Sequence, residues 1–440
     1  MKNFLRIAII LLFAFLVQIS AKASCASTSQ PWSDKIETLW GGHFKTTGIV
    51  SWPDDESFLQ PADTDTFYDG SIDFRLKNKL FFTDWAYLET HYEALALGGD
   101  TWRKKKELEQ TYPNLFKEGV ISGSNLNDDR RLMDLTKTIN ETNDYIIYHR
   151  LDRLVLTLLP HWGTVRIGRQ ALTWGNGLLF NPMDLFNPFA PTDIERDYKI
   201  GDDMVFVNLP MTTTKDFQFL FVPRRNPLTN NVEYDQSSLA GKVHFAAGTT
   251  EFDVMAAHHY DDFVTGIGTR GYLKEAAWRL DATYTFLDEN SNRDGFFSLV
   301  ANLDYSWVWR DKNMYGFLEF YYNGLGSDQY SEALTDPDVV QRLVRGELFT
   351  LGKTYLSGTI QRELHPLLNI YLTLINNVAD PSGIMQPRAI WDMKENIQLT
   401  CGANLYYGKT GTEYGGFLIP TTTFLNKPPE SVYLWLTFFF

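Results

Sequence analysis

What most limits the folds open to this chain is a strict alternation of apolar and polar residues over long stretches. From Phe297 to Trp309, one parity holds Phe297, Leu299, Ala301, Leu303, Tyr305, Trp307 and Trp309, and the other holds Ser298, Asn302, Asp304 and Ser306. Trp278 to Phe286 and Ile397 to Tyr407 repeat the pattern, the latter placing Cys401 among its apolar residues. Successive strand residues point to opposite faces, so each segment predicts a strand with lipid on one side and water on the other. Beyond the N-terminus no stretch approaches eighteen apolar residues, which excludes a transmembrane helix there. Phe, Tyr and Trp make up 15% of the chain although its mean hydropathy is slightly negative. Abundant rings without long apolar runs fit an all-β, antiparallel transmembrane β-barrel, with a soluble aromatic-rich β-protein as the alternative.

Eighteen strands are predicted: 40–50, 67–77, 84–96, 146–159, 163–172, 202–209, 215–222, 237–246, 251–260, 263–272, 276–288, 296–309, 314–323, 351–363, 367–377, 383–392, 397–408 and 430–440. The long connections 51–66, 97–145, 173–201, 223–236, 324–350 and 409–429 all follow odd-numbered strands. Single-chain outer-membrane barrels have even strand numbers, tight periplasmic turns and long extracellular loops, and this layout satisfies all three. Arg131 to Ile139 is a further candidate strand, placed here within the third connection, and sixteen strands is the second choice.

Lys2 and Arg6 precede an apolar run from Ile7 to Val17, and Ala21-Lys22-Ala23 offers a small-x-small cleavage pattern, so residues 1–23 read as a cleaved signal peptide. Residues 24–39 then form a short periplasmic segment and 40–440 the barrel. Cleavage removes Lys2, Arg6 and Lys22 from 40 basic residues against 54 acidic ones and leaves a charge of −17. So acidic a surface argues against a nucleic-acid partner. Cys25 and Cys401 are the only cysteines, too few for a disulfide framework, and Lys22 stands where a lipobox preceding Cys25 needs an apolar residue. In the last strand Val432, Leu434, Leu436, Phe438 and Phe440 share one parity. This resembles the C-terminal insertion signal, ending in an aromatic here supplied by Phe440, that the barrel-assembly machinery recognises in outer-membrane proteins generally.

The segment from Gly168 to Asp203 is dense in Gly, Pro and Asn, and between Thr173 and Asp203 carries a net charge of −4. Long loops in compact structures usually have a function. This one is expected either to fold inward and narrow the pore, with Trp174, Asp184, Asp193, Glu195 and Arg196 near the constriction, or to pack as a cap on the rim through Phe180, Leu185, Phe186 and Phe189. Its Gly168-Arg169-Gln170, Trp174-Gly175, Asn181-Pro182-Met183-Asp184-Leu185-Phe186-Asn187-Pro188 and Ile194-Glu195-Arg196 resemble, in order and spacing, the motifs of a poorly characterised porin-like family of bacterial outer-membrane proteins. That resemblance implies a barrel and a channel, and no substrate.

Charged residues on the polar parity are expected to line the lumen, where water solvates them: Arg75, Glu89, Lys242, Glu251, Arg279, Asp281, Asp304, Glu319 and Lys353 are the main ones, with a salt-bridged wall as the alternative. The insert 97–145 contains a short helix-like run from Trp102 to Gln110, and Asp128-Asp129-Arg130-Arg131 reads as a solvated charge run. Gly-x-Ser-x-Gly, His-Glu-x-x-His and Cys-x-x-Cys are all absent, and His258 and His259 point to opposite faces of one strand. Neither a catalytic site nor a cofactor or metal is therefore expected. The function predicted is passive diffusion of small hydrophilic solutes across the outer membrane, through a barrel whose partners are outer-membrane lipid and lipopolysaccharide. The alternatives are a non-conducting barrel that anchors surface polysaccharide or lipid and, behind it, a barrel enzyme.

Overall fold

A computed structural model describes residues 37–59, 65–111, 128–192, 198–289, 291–420 and 422–440. Its strands are β1 (Glu37–Trp52), β2 (Phe67–Thr83), β3 (Ala86–Gly99), β4 (Thr136–Glu141), β5 (Tyr145–Leu158), β6 (Thr164–Gln170), β7 (Asp202–Thr212), β8 (Lys215–Val222), β9 (Ser238–Ala247) and β10 (Thr250–His259). They continue with β11 (Asp262–Leu273), β12 (Ala276–Phe286), β13 (Gly295–Trp309), β14 (Lys312–Asn323), β15 (Thr354–His365), β16 (Leu368–Asn377), β17 (Ser382–Lys394), β18 (Ile397–Tyr407), the short loop pair β19 (Phe417–Leu418) and β20 (Leu425–Asn426), and β21 (Glu430–Phe439). Among the described residues three helices lie in the connections: α1 (Asp100–Thr111), α2 (Tyr330–Ala333) and α3 (Pro337–Arg345).

Each long strand pairs antiparallel with its neighbour in sequence, and β21 pairs with both β18 and β1, so the sheet closes on itself. The closed ring has eighteen strands. β4 is a nineteenth, appended to the upper edge of β5 where the seven-residue β6 stops short. This β4 overlaps the end of the stretch Arg131 to Ile139 read as a further candidate strand and continues to Glu141, and it extends the wall without entering the ring. The first strand starts at Glu37, three residues earlier than the sequence reading placed it, and residues 1–36, with the expected signal peptide over 1–23, fall outside the described residues.

The pleat sorts residues as a membrane barrel requires. Leu280, Phe297, Leu303, Leu318, Leu356, Leu372, Leu434 and Leu436 are exposed on the outer face, with Cys401 beside them, whereas Ser298, Asn302, Glu319, Ser357, Thr400 and Thr437 are buried on the inner one. Apolar side chains outside and polar ones inside are favourable only if the outer solvent is lipid. At one end the strands join through tight turns, such as Arg310-Asp311 with both φ values positive (49° and 57°), the primed-turn geometry that suits strand twist. The long connections all emerge at the other end. Lys353 precedes β15 in one of them and is exposed there, so it does not sit on a strand as its parity suggested.

The Arg169 side chain repairs the wall above the short β6. Gly168, at φ 119°, bends the strand where a Cβ would lie 2.1 Å from the Leu154 carbonyl oxygen. Arg169, 2% exposed, then donates Nε and Nη2 to Asp203, Nη1 to both oxygens of Asp128, and Nη2 also to the Met133 carbonyl. Asp128 and Arg131 are thus drawn into a buried network and are not the solvated charge run that composition suggested. Arg169→Met is expected to destabilise the barrel by about 3–5 kcal/mol, because two buried carboxylates lose their cation. Arg169→Lys should recover little of that, since one ammonium cannot reproduce the fork. Urea-unfolding midpoints in lipid vesicles check both.

Candidate functional site: the loop-filled lumen

In the connection from β6 to β7, the described residues 171–192 and 198–201 run inside the barrel. Two apolar clusters hold it there. Leu172, Trp174, Met183 and Phe186 pack on Met204, Phe206, Leu220, Val222, Ala240, Met255, Ala257 and Val264, the inward residues of β7 to β11. On the opposite side Leu179 and Phe180 pack on Val300, Tyr321, Tyr355, Ile375 and Ile384 of β13 to β17, with the Phe180 and Tyr321 rings stacked at 4.3 Å. The loop therefore spans the lumen from wall to wall.

Two carboxylates fix its crossing. Asp281 on β12 is fully buried and accepts from the Asn176 backbone N–H at 2.5 Å and from its Nδ2 at 2.7 Å. Glu319 on β14, 1% exposed, accepts three successive backbone N–H groups, Leu178 at 2.6 Å, Leu179 at 2.9 Å and Phe180 at 2.8 Å, while Asn302 donates to it at 3.1 Å. These loop donors have no strand partner, and a carboxylate meeting them satisfies both its own charge and the loop backbone. Sequence motifs supply the tight path. Gly175 has φ 87°, with the position of an added Cβ 2.1 Å from Asn181 Oδ1, and Asn181 Nδ2 donates to the Trp174 carbonyl at 2.9 Å. Asn187 takes the left-handed conformation at φ 53°, a turn that Asn tolerates.

The predicted site residues fall into distinct places. Trp174 is buried, donates Nε1 to Gln218 at 2.8 Å and has Lys242 Nζ 5.6 Å from its ring centre. Asp184 is buried against Lys199 at 2.5 Å. Burial pushes this carboxyl up, to about 6, with the ammonium opposing the shift. Asp193, Glu195 and Arg196 lie outside the described residues. Asp281 and Glu319 face inward but hold the loop and do not border open water. Lys242 pairs with Asp253 at 3.3 Å, Arg279 with Asp304 at 2.6 Å, Glu89 with His91 at 3.1 Å, and Glu251 with Arg270. Arg75 binds Asp152 at 2.8 Å and Glu93. Most of the wall charges are thus paired across neighbouring strands.

What the loop leaves open is a chamber of ≈ 340 Å³ on the side of the ring formed by β14 to β18, β21 and β1. Leu179, Pro191 and Tyr198 of the loop border it. Its wall carries the rings of Tyr315, Phe317, Tyr371, Tyr433, Trp435 and Phe439, the amides of Gln361, Gln386 and Gln398, and four threonines. Its charged residues are Lys45 and Arg388, joined by His43, and among the described residues no carboxylate lines it. Nothing in the sequence reading singled out these groups, although their strands and parity were predicted; which part of the wall stays open depends on the path of the loop.

One row of side chains calls for a chemical test. Ser238 Oγ lies 2.9 Å from His259 Nδ1, and His259 Nε2 lies 3.2 Å from Glu347, an order that also occurs in hydrolase triads. Here Ser238 is 1% exposed and its hydroxyl accepts from Arg224 at 2.7 Å. No nucleophile is presented; the row docks the connection after α3 onto β9 and β10. His258 points the other way and packs on Tyr234 at 4.3 Å.

No protein-family model matches the sequence, and no curated protein does. Solved structures do match over almost the whole chain. Pseudomonas aeruginosa OpdK with vanillate superposes with a TM-score of 0.52 at 9% identity, covering 92% of this chain and 98% of that one. A BenF-like porin from Pseudomonas fluorescens gives 0.51 at 8% over the same shares, and Acinetobacter baumannii OccAB2 gives 0.50 at 11% over 91% and 98%. At such identities the likeness speaks for architecture, and the architecture is the closed eighteen-stranded antiparallel barrel of outer-membrane porins.

Proposed function

We propose that this chain is a porin-like channel of the outer membrane, through which small hydrophilic solutes diffuse passively past the loop 171–201. The observation that carries this reading is the chamber. A structural plug needs only apolar packing, yet this loop leaves one side of the lumen open and lined by rings, amides and cations. Hydroxyl and amide groups replace solvation for a polar solute, rings offer it faces to slide along, and a lining of cationic charge discourages cations. Small polar solutes, uncharged or anionic, fit that lining. OpdK, similar in architecture, was solved with vanillate. Export by a signal peptide over residues 1–23, insertion by the barrel-assembly machinery through the strand ending at Phe440, and contact with lipopolysaccharide belong to the same reading.

The second reading, a silent barrel that binds surface polysaccharide or lipid, is favoured by the two apolar clusters that fill the lumen beside the chamber. Planar-bilayer recording separates the two. Well-defined current steps that grow several-fold when residues 173–201 are deleted support the channel. A wild-type barrel, folded by heat-modifiable mobility, that carries no current overturns it.

A further inference from the structure

Tyr198, at the end of the lumen loop, rests on the barrel wall in an unusual way. Its ring centre lies 4.2 Å from Arg75 Cζ, 4.4 Å from Lys77 Nζ and 5.2 Å from the centre of the His43 ring, and Lys77 Nζ donates to its hydroxyl at 2.6 Å. His43 and Arg75 are directly opposed in the β1–β2 register, and Lys77 follows on the same face of β2. The three groups therefore form one continuous surface, and Tyr198 covers it. Tyr198 and His43 also border the chamber, so a solute there meets this ring before it meets Arg75 or Lys77.

Two atoms at this surface have no hydrogen-bond partner among the described residues. Arg75 Nε and His43 Nδ1 are buried and unsatisfied, although both residues are only 2% exposed and are otherwise held, Arg75 by Glu93 and Asp152 and His43 by Asp73 at 3.3 Å. A buried donor such as Arg75 Nε is normally bonded, and an aromatic face is a weak substitute for an anionic oxygen. The acids that hold Arg75 are shared: Glu93 also binds Arg150 and Asp152 also binds Arg153, so three guanidinium groups meet these two carboxylates.

We infer that His43, Arg75 and Lys77 form an anion subsite in the chamber wall, with Tyr198 as its built-in occupant, and that solutes bearing both an anionic group and a flat ring compete with Tyr198 for it. Such a solute replaces the ring stack on Arg75 and Lys77 and adds the oxygen that Arg75 Nε lacks. Tyr198 then determines specificity, because an anion without a ring displaces it less well. The inference rests on the channel reading, and the following experiment keeps the two apart.

The full-length protein is recorded in planar bilayers as wild type, Tyr198→Ala, Tyr198→Phe and Tyr198→Ala/Lys77→Gln, with 4-hydroxyphenylacetate and acetate as probes. Tyr198→Ala should raise the chloride-to-potassium permeability ratio by about threefold, since it bares two cations to the pathway. It should also let 4-hydroxyphenylacetate reduce the chloride current at roughly tenfold lower concentration than in wild type, with acetate little changed. Tyr198→Phe keeps the ring and should shift both readouts much less, and Lys77→Gln should reverse most of the gain. A conducting Tyr198→Ala channel with wild-type selectivity and probe sensitivity overturns the subsite and leaves the channel reading standing. If the wild type carries no current the channel reading fails. Calorimetric binding of 4-hydroxyphenylacetate to the solubilised protein then decides the subsite, tightening in Tyr198→Ala if it exists and unchanged if it does not.

Discussion

Replacing Glu319 by Ala is expected to turn a narrow, steady channel into a wide and noisy one. Glu319 accepts three consecutive loop N–H groups and the Asn302 amide, and no other described group bonds all three. Each buried donor left unsatisfied costs about 1–3 kcal/mol, more when it has lost a charged acceptor, so the loop loses several kcal/mol at one point of its crossing. What remains on that side is the packing of Leu179 and Phe180 against β13 to β17. That packing does not orient the backbone, and residues 178–180 should leave the wall for part of the time while Asn176 stays on Asp281. Mean single-channel conductance should rise several-fold, with fluctuations that the wild type lacks. Glu319→Gln retains one acceptor oxygen and should fall between the two. The barrel itself should survive, because the β13–β14 and β14–β15 ladders do not depend on this side chain. Wild-type conductance in Glu319→Ala, in a barrel that still resists detergent unfolding, would mean that the apolar clusters and Asp281 hold the loop without Glu319.

That experiment also marks where the sequence stopped being informative. The strands were legible because lipid on one side and water on the other force a period of two, and predicted and observed windows differ by only a few residues at most ends, with β8 identical at 215–222. The fate of Asp281 and Glu319 was not legible. An inward carboxylate that borders water and one that caps loop amides have the same residue type and the same parity, and only the path of a loop 105 to 141 residues away distinguishes them. A clue lay in β7 to β11, where inward positions such as Leu220, Val222, Met255 and Ala257 are apolar. A strand apolar on both faces has lipid outside and a packed lumen inside, so these strands announce a filled interior. Asp128 misled for a related reason: it stands in a charge run, yet Arg169, forty-one positions on, buries it. Tyr198 and Arg75 are likewise paired by the fold and not by any spacing.

Deleting residues 430–440 is expected to abolish the folded barrel. Among the described strands β21 alone links β18 to β1, and its loss leaves both with unpaired edges at membrane depth. Lipid offers no hydrogen bonds to replace the ladder, and each unsatisfied backbone group there costs several kcal/mol, so an open ring has no stable form in a bilayer. A milder lesion at the same seam separates closure from removal of the terminal strand. Gly42 on β1 exchanges backbone hydrogen bonds with Phe440 at 2.9 and 3.2 Å, and a Cβ at Gly42 would lie 2.1 Å from the Arg75 carbonyl oxygen and 2.8 Å from the Phe440 ring. Gly42→Val should therefore hinder closure with every residue of β21 present, whereas Gly48→Val, on the same strand with open space around its Cβ, should fold normally. The measurement is the fraction of heat-modifiable, protease-resistant protein after folding into lipid vesicles. Near-normal folding is expected for Gly48→Val, a substantial loss for Gly42→Val, and none detectable for the deletion. A folded deletion variant would show that the ring can close between β18 and β1 without β21.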